Sequence, residues 1–242
     1  MPTMSSSVEK LYMFQPGLFA CSAKVMALGK DDKGTFVKLS KTIFHPQGGG
    51  QPFDVGVLRF GEKHQVNIIS VQKEIKEDDA DKNNFDIRHY VSPETTELNV
   101  GEDVEMLIDQ NRRQLNARLH SAGHLIAAVV EKYFGKDWKA TGGHHIPKEA
   151  RVEFTPVNAS PVSSAQEVQK CLQEQLPLEI EADSIVNILL DESGRRIQIG
   201  GYEAVPCGGT HVERLSALEQ IDVREVKIKS KKLRVSYGVG EV

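Results

Sequence analysis

The sequence predicts an α+β protein in which a small N-terminal β-barrel or sandwich precedes a larger domain of mixed helices and strands. Short runs of alternating apolar residues, separated by Gly and Asp clusters, extend from Phe19 to about residue 100 and are typical of strands. A helical period then replaces the period of two, and further strand-like runs follow it. We therefore place a β-barrel domain at 1–100 and a two-layer α/β domain, in which a sheet packs on helices, at 101–242.

The N-terminal strands are predicted in five segments, which are "FACSAKVMAL", "GTFVKLSKTIF", "DVGVLRF", "HQVNIISVQKE" and "FDIRHYV". The acidic stretch at 73–84 is predicted to be a hydrophilic loop. Apolar residues at helical spacing predict a long helix from about Asp109 to Tyr133, with Gly135 as a stop signal. A second helix is predicted in "SPVSSAQEVQKCLQEQL", with Ser160 as N-cap and Pro161 at the first helical position. The later strands are predicted in "ARVEFTP", "IVNILLD", "RRIQIGGYEAV", "IDVREVKIKS" and "LRVSYGV".

The composition is that of an ordinary globular protein, with 26% charged and 39% hydrophobic residues. Three scattered cysteines do not form a disulfide pattern, and no signal peptide or apolar stretch of about 20 residues is apparent. We therefore expect a cytoplasmic protein without a membrane partner. A net charge of −4 gives no overall attraction to nucleic acid, so such a partner needs a local basic surface. The runs "NRRQLNARLH" (111–120) and "KIKSKKLR" (227–234) are candidates, although a solvated surface is the commoner role of a charge run.

Two separated motifs predict one metal site. In "HSAGH", His120 and His124 lie one helical turn apart on the same face, and in "PCGGTH" a glycine turn separates Cys207 from His211. Three imidazoles and one thiolate suit zinc, which prefers nitrogen and sulfur in a tetrahedron. A metalloprotease helix of the H-E-x-x-H type is excluded, because Ser121 stands where the catalytic Glu would be. The alternative is two unrelated core histidines and a buried thiol.

These motifs resemble a known family. "HSAGHLI" followed by "PCGGTHV" is similar to the editing domain of alanyl-tRNA synthetase, the second additional domain shared with threonyl-tRNA synthetase, which also occurs as free-standing AlaX proteins. "FHPQGGGQPFDVGVL" (44–58) resembles the glycine-rich segment of the barrel in the longer AlaX proteins. With "IDQNRR" and "ARVEF", the resemblance covers nearly the whole chain in the family's order.

The resemblance implies a zinc-dependent aminoacyl-tRNA hydrolase with one zinc ion per chain and no need for ATP. Its substrate is expected to be the acceptor end of tRNA(Ala) that carries a wrong amino acid, serine first and glycine as a second candidate. Because no P-loop signature is found, we expect the free-standing form of the editor. Two alternatives stay open, namely a zinc-stabilised tRNA-binding module without catalysis and an unrelated zinc hydrolase of small esters or amides.

The resemblance also implies individual roles. Thr141 matches the threonine that senses the serine hydroxyl, and we place Gly123, Gly208 and Gly209 with it as substrate-binding residues. The following His144 and His145 could supply a proton or contact the terminal adenosine. Synthetase-type domains often carry a glutamine in this loop and a threonine in place of Gly123, and this chain departs from both. The predicted RNA contacts are Arg112, Arg113, Lys227, Lys229, Lys231, Lys232 and Arg234.

The role of the zinc ion stays open at this point. Four protein ligands fill a tetrahedron, as in structural sites, whereas catalytic zinc keeps one position open. The ion could therefore activate water after losing a ligand, become five-coordinate, or position the substrate through its α-amino group. We favour the positioning role.

Overall fold

The computed structural model describes residues 8–75, 85–92, 98–191 and 194–240. Most of the predicted acidic loop, residues 76–84, lies outside the described residues. The chain divides into two compact units. The first, the barrel unit, comprises Met1–Gly48 and Phe53–Arg113, and the second, the helical unit, comprises Gly49–Pro52 and Gln114–Val242.

Six antiparallel strands of the barrel unit close into a barrel, in the order Ala20–Asp31, Gly34–Leu39, Phe85–Val91, His64–Ile75, Gly56–Phe60 and Asp103–Ile108. Every second residue of these strands faces inward, and the core contains such residues as Val25, Val37, Leu58 and Met106. The predicted α+β class and the barrel are thus confirmed. The strands of this unit are β1 (Glu9–Lys10), β2 (Ala20–Asp31), β3 (Gly34–Leu39), β4 (Lys41–Thr42), β5 (Gly56–Phe60), β6 (His64–Ile75), β7 (Phe85–Val91) and β8 (Asp103–Ile108).

Strand β8 closes the barrel and was not predicted. It pairs with β2 on one side and with β5 on the other. Its sequence "DVEMLI" alternates buried and exposed residues, as a strand does. It lies directly before the long helix, however, and six residues are too few to separate the two patterns. The boundary predicted near residue 100 therefore falls before the last barrel strand.

The long helix α1 (Gln110–Phe134) has bounds within one residue of the prediction. Its buried residues recur at intervals of three and four, and a helix of this sequence must therefore bury one face. They include Leu119, Ala122, Leu125, Ile126, Val129 and Val130. The described residues contain no helix with an apolar stretch of the length that a membrane span requires.

Around α1, the helical unit contains a four-stranded antiparallel sheet, β14-β15-β10-β9, and a three-stranded sheet, β11-β12-β13. Residues of both sheets and both helices share one apolar core. The segment "WKATGGHH", for which the sequence predicts a loop, forms a strand over Trp138–His144. The elements are β9 (Trp138–His144), β10 (Arg151–Pro156), α2 (Ala165–Glu181), β11 (Val186–Asp191), β12 (Gly194–Ile199), β13 (Val205–Pro206), β14 (Ile221–Lys229) and β15 (Lys232–Val239).

The start of α2 differs from the prediction. Ser164, not Ser160, is the N-cap, and its hydroxyl accepts a hydrogen bond from the Glu167 backbone N–H. The Glu167 carboxylate in turn accepts the Ser164 backbone N–H at 2.7 Å. This reciprocal capping box satisfies two helix-terminal donors, so it decides where the helix begins.

Candidate metal centre and its cavity

The structure brings the four predicted ligands together inside the helical unit. His120 and His124 project from α1, and Cys207 and His211 lie in the turn that follows β13. One potential ligand atom from each residue lies within 4.8 Å of all the others. The Cys207 Sγ atom is 3.5 Å from His120 Nε2 and 3.2 Å from His211 Nε2.

Hydrogen bonds at the opposite ring nitrogens orient two of these histidines. His120 Nδ1 lies 2.8 Å from the side-chain oxygen of Gln51, which can only accept, so Nδ1 carries the proton and Nε2 has a free electron pair. His211 Nδ1 lies 3.1 Å from the Ser121 hydroxyl, which also accepts the Val212 backbone N–H. Such partners on the second nitrogen are the usual means of fixing the tautomer and orientation of a metal-binding histidine.

Gln51 is the site residue that the sequence analysis missed. It is completely buried, and besides accepting from His120 its oxygen accepts the Thr210 backbone N–H at 2.9 Å. Its amide nitrogen donates to the Thr210 hydroxyl at 2.8 Å. Gln51 therefore ties α1 to the cysteine turn. The signal was present in the "GGGQP" segment, but nothing in the sequence indicated which residues it would meet.

The backbone of the cysteine turn is held from two sides. The Cys207 N–H donates to the Arg195 carbonyl, and the Arg195 guanidinium donates back to the Cys207 carbonyl. Gly209 packs directly on His120, since a Cβ at this position would lie 2.1 Å from the imidazole Cε1. Any larger residue at 209 would therefore displace either the turn or the ring.

The donor set fits a zinc ion. Nitrogen and sulfur ligands of a tetrahedral zinc stand about 3.3–3.6 Å apart, and both sulfur–nitrogen distances given above are close to that range. A metal binds the neutral imidazole, and burial, followed by the nearby charge of Arg195, lowers the pKa of His124 to about 4. At neutral pH, His124 is therefore available as a ligand without losing a proton.

A cavity of about 1150 Å³ opens beside the cluster in the helical unit. His120, His124 and Cys207 lie in its wall, and Gly123 and Gly208 line it as well. Small and aliphatic side chains form much of the remaining wall, and four charged ones form two ion pairs, Lys139 with Glu131 at 2.7 Å and Lys132 with Glu179 at 3.4 Å. This volume lies slightly above the range of about 300–1,000 Å³ that is typical of small-molecule and cofactor sites.

His145 is a further buried residue of the cavity wall, with only 5% of its surface exposed. Its ring stacks on that of His120, with 4.5 Å between the centroids. Burial lowers the pKa of His145 to about 3, with smaller effects from His124 and His144, so the ring is neutral at pH 7. His144, by contrast, lies outside the cavity and approaches Glu149 at 3.5 Å.

The predicted substrate-binding residues separate into two groups. Gly123 and Gly208 line the cavity, whereas Gly209 packs behind His120. Synthetase-type domains often carry a threonine at the position of Gly123. Here a side chain at this position is excluded, because its Cβ would lie 2.4 Å from His145. Thr141 is not part of the cavity wall, and its hydroxyl donates to the Glu153 carbonyl at 3.4 Å. The structure therefore does not bring Thr141 to the cluster.

The structure contradicts the surface position predicted for Arg113. This residue is only 1% exposed in the barrel unit, and its guanidinium donates to the buried Asp54 carboxylate and to the carbonyls of Pro16 and Ile43. A guanidinium so enclosed cannot contact a phosphate. Arg112 is half-buried and donates to the Phe53 carbonyl at 3.1 Å, a bond that already occupies part of its donors.

The basic residues of the β14–β15 hairpin, which are predicted to contact RNA, are exposed. Two of them are already paired, Lys227 with Glu225 and Arg234 with Glu153. Within the described part of the chain, the remaining lysines form no salt bridge. These are Lys229, Lys231 and Lys232.

The chain is similar over most of its length to proteins of known name. It is 30% identical to the alanyl-tRNA editing protein AlaX-L of Pyrococcus horikoshii, covering 96% of this chain and 58% of that protein. It is 27% identical to AlaX-M of Saccharolobus solfataricus, covering 96% of this chain and 98% of that protein. It is 32% identical to an alanine–tRNA ligase of Methanobrevibacter smithii, covering 88% of this chain and 24% of that protein. No protein-family model matches the chain.

The chain spans little more than half of AlaX-L and about a quarter of the ligase. Over most of its own length it is similar both to alanyl-tRNA editing proteins and to alanine–tRNA ligases. It is a relative of the AlaX alanyl-tRNA editing proteins, so the resemblance inferred from the motifs is confirmed.

Proposed function

We propose that this protein is a zinc-dependent aminoacyl-tRNA deacylase that hydrolyses mischarged tRNA(Ala). Ser-tRNA(Ala) is the first substrate and Gly-tRNA(Ala) the second. The observation that carries the proposal is the placement of a three-histidine, one-cysteine cluster in the wall of a cavity of about 1150 Å³. The names of the relatives support tRNA(Ala) as the carrier. The function implies the cytoplasm as the compartment and requires no ATP, because the ester bond itself drives its hydrolysis.

The zinc ion would be held by His120, His124, Cys207 and His211, one ion per chain. When bound, it would supply a Lewis acid that can accept the lone pair of the neutral α-amino group of the aminoacyl ester or polarise its carbonyl. The protein supplies the orientation. Gln51 and Ser121 fix the imidazoles of His120 and His211, and Arg195 fixes the backbone of Cys207. The cavity wall excludes water from much of the substrate, which strengthens each polar contact within it.

The acceptor stem of the tRNA is proposed to contact the β14–β15 hairpin through Lys229, Lys231 and Lys232. At the hairpin tip, Ser230 and Lys231 have φ values of 51° and 61°, a left-handed conformation that non-glycine residues adopt at some cost. Replacing these three lysines with glutamine should weaken tRNA binding and lower the salt dependence of that binding. Lys63→Gln in the barrel unit is the control, because this exposed residue lies outside the hairpin.

The deciding experiment compares hydrolysis of Ser-tRNA(Ala), Gly-tRNA(Ala) and Ala-tRNA(Ala) by the wild type, by Cys207→Ala and by the control Cys21→Ala. Zinc content is measured for all three proteins. We expect rapid loss of serine, survival of Ala-tRNA(Ala), and loss of both activity and zinc in Cys207→Ala alone. Cys21 is a free cysteine of the barrel unit, so its replacement should change neither.

The alternative is a tRNA-binding module with a structural zinc ion. It is favoured by one observation, that the cluster offers four ligands and so fills a tetrahedron without an open position. A zinc-loaded wild type that binds tRNA but leaves all three esters intact would establish this alternative and exclude the deacylase.

A further inference from the structure

His145 is a buried polar residue of the cavity wall to which the proposed function assigns no role. It is neither one of the four clustered ligands nor part of an ion pair, yet it is almost completely buried and stacks on His120. Its Nδ1 lies 2.6 Å from the Tyr237 hydroxyl, and within the described residues its Nε2 atom has no hydrogen-bond partner. Because His145 lines the cavity, this atom is a candidate for contact with a ligand.

The state of Nε2 follows from the partners of Tyr237. The Tyr237 hydroxyl has one hydrogen, which it donates to the Leu119 carbonyl at 2.9 Å. Since a carbonyl can only accept, the second contact of this hydroxyl must be a hydrogen bond that it accepts from His145 Nδ1. In a neutral imidazole, the proton on Nδ1 leaves Nε2 as an acceptor with a free electron pair.

Three glycines make room for the His145 ring. A Cβ at Gly123 would lie 2.4 Å from the imidazole Cε1, and one at Gly50 would lie 3.1 Å from Cδ2. A Cβ at Gly143 would lie 2.4 Å from Nε2 itself, so the absence of a side chain there leaves this nitrogen uncovered. The His145 backbone is also fixed, because its N–H donates to the Gly50 carbonyl at 2.8 Å. The ring is therefore held in one orientation before any ligand binds.

Four charged side chains of the wall are already bonded to each other or to neighbouring groups. Glu131 accepts from Lys139 and from the Ala140 N–H, and Glu179 accepts from Lys132 and Tyr202. Around them the wall is built from alanine, valine and isoleucine side chains, including Ala127, Val152 and Ile197. A small polar group that enters next to His120 would thus meet an oriented acceptor, His145 Nε2, in a largely apolar surrounding.

We propose that Nε2 of His145 accepts a hydrogen bond from the side-chain hydroxyl of a seryl ester and so makes it a better substrate than an alanyl ester. The inference rests on the proposed function and assigns to His145 the sensing role that the sequence resemblance gave to Thr141. Seryl and alanyl groups differ by this one hydroxyl, and a buried acceptor that an alanyl group leaves unpaired disfavours it. The Thr141 hydroxyl, bonded to Glu153 and outside the wall, is not available for this role.

The test compares His145→Phe with the control His144→Phe, using Ser-tRNA(Ala) and Gly-tRNA(Ala). Phenylalanine keeps an aromatic ring but removes the acceptor, and His144 lies outside the cavity wall. In His145→Phe we expect kcat/KM for the seryl ester to fall about 10- to 100-fold while that for the glycyl ester, which has no hydroxyl, changes less than about threefold. His144→Phe should leave both values unchanged, and His145→Gln, which offers an amide oxygen, should restore part of the seryl activity.

A second readout does not depend on hydrolysis. The dissociation constants of 3′-seryl-amino- and 3′-glycyl-amino-3′-deoxyadenosine, which cannot be hydrolysed at the amide, are measured by calorimetry together with the zinc content. The wild type should prefer the seryl compound, and His145→Phe should lose that preference while its zinc content stays the same. If His145→Phe does not fold, Tyr237→Phe replaces it, because it removes the hydroxyl that fixes the proton on His145 Nδ1 and keeps the His145 ring.

The outcomes separate this inference from the proposed function. A wild type that hydrolyses neither ester refutes the deacylase. A wild type that hydrolyses both, together with a His145→Phe variant in which both activities fall equally, refutes the hydroxyl contact and assigns His145 to the hydrolytic step or to folding. Selective loss of the seryl reaction, with seryl binding lost in parallel, establishes it.

Discussion

Gln51→Met is the substitution that should reveal how strongly the cluster depends on the residue behind it. Methionine matches glutamine in length but can replace none of the three hydrogen bonds that join Gln51 to His120 and Thr210. Two buried N–H donors, on His120 and on the Thr210 backbone, would lose their acceptor. Each such loss costs about 1–3 kcal/mol, so we expect the free energy of unfolding to fall by about 2–4 kcal/mol after partial relaxation.

The effect on metal binding should be larger than that of a general loss of stability. Without Gln51, the His120 ring can rotate and its Nδ1 can lose the proton, so Nε2 no longer faces the Cys207 sulfur in the required state. Loss of such a partner typically weakens metal binding 10- to 100-fold. Competition for zinc with a chromophoric chelator measures this change, and urea unfolding of the metal-free protein measures the stability.

Two further variants make the experiment specific. Gln51→Glu keeps an acceptor for both N–H groups, so its zinc affinity should stay within about threefold of the wild type. Gln47→Met changes an exposed glutamine of the same segment and should leave zinc affinity and stability unchanged. A zinc affinity of Gln51→Met within twofold of the wild type would refute the claim that Gln51 orients His120.

Three other substitutions test the structure in different places. Gly209→Ala should reduce zinc binding at least 10-fold in the same chelator assay, because the added methyl group would overlap the His120 ring. Ser164→Ala should lower the free energy of urea unfolding by about 1 kcal/mol through loss of the α2 N-cap, whereas Ser160→Ala should have no effect. Burial lowers the pKa of His89 from 6.5 to about 4, so the unfolded chain binds one more proton than the folded protein between these pH values. Stability is therefore lost as the pH falls through this window, by up to about 3 kcal/mol from this residue, and urea unfolding of His89→Gln should show a pH dependence smaller by about one proton.

The sequence identified the residues of the cluster because local geometry encodes them. A helix brings His120 and His124 onto one face whatever it packs against, and a glycine turn keeps Cys207 close to His211 in any fold. The long helix could also be predicted from the sequence, since its buried residues recur along many turns. Gln51 and Tyr237 could not be recognised in this way, because they are separated from the residues that they orient by 69 and 92 positions.

Burial was a second property that the residue pattern did not reveal. "NRRQ" has the composition of a solvated surface, yet Arg113 pairs with a buried aspartate 59 positions away. A buried arginine is tolerated only where its donors are matched, and here Asp54 and two carbonyls supply the acceptors. The arginine and its acceptors come from three separate segments of the chain, so their match becomes visible only in the closed barrel.

The misassignment of Thr141 has a specific physical cause, an irregularity in strand β9. Gly142 pairs with Glu153 and Ala140 with Phe154, so Thr141 is an extra residue without a partner across the strand. Such a bulge reverses the alternation of faces beyond it. Ala140 before the bulge and His145 after it therefore both line the cavity, although five positions separate them and a regular strand would point them to opposite sides. The Thr141 hydroxyl, to which the family resemblance assigns serine recognition, thus donates to the Glu153 backbone carbonyl, and the acceptor that we propose in its place belongs to the histidine four residues later.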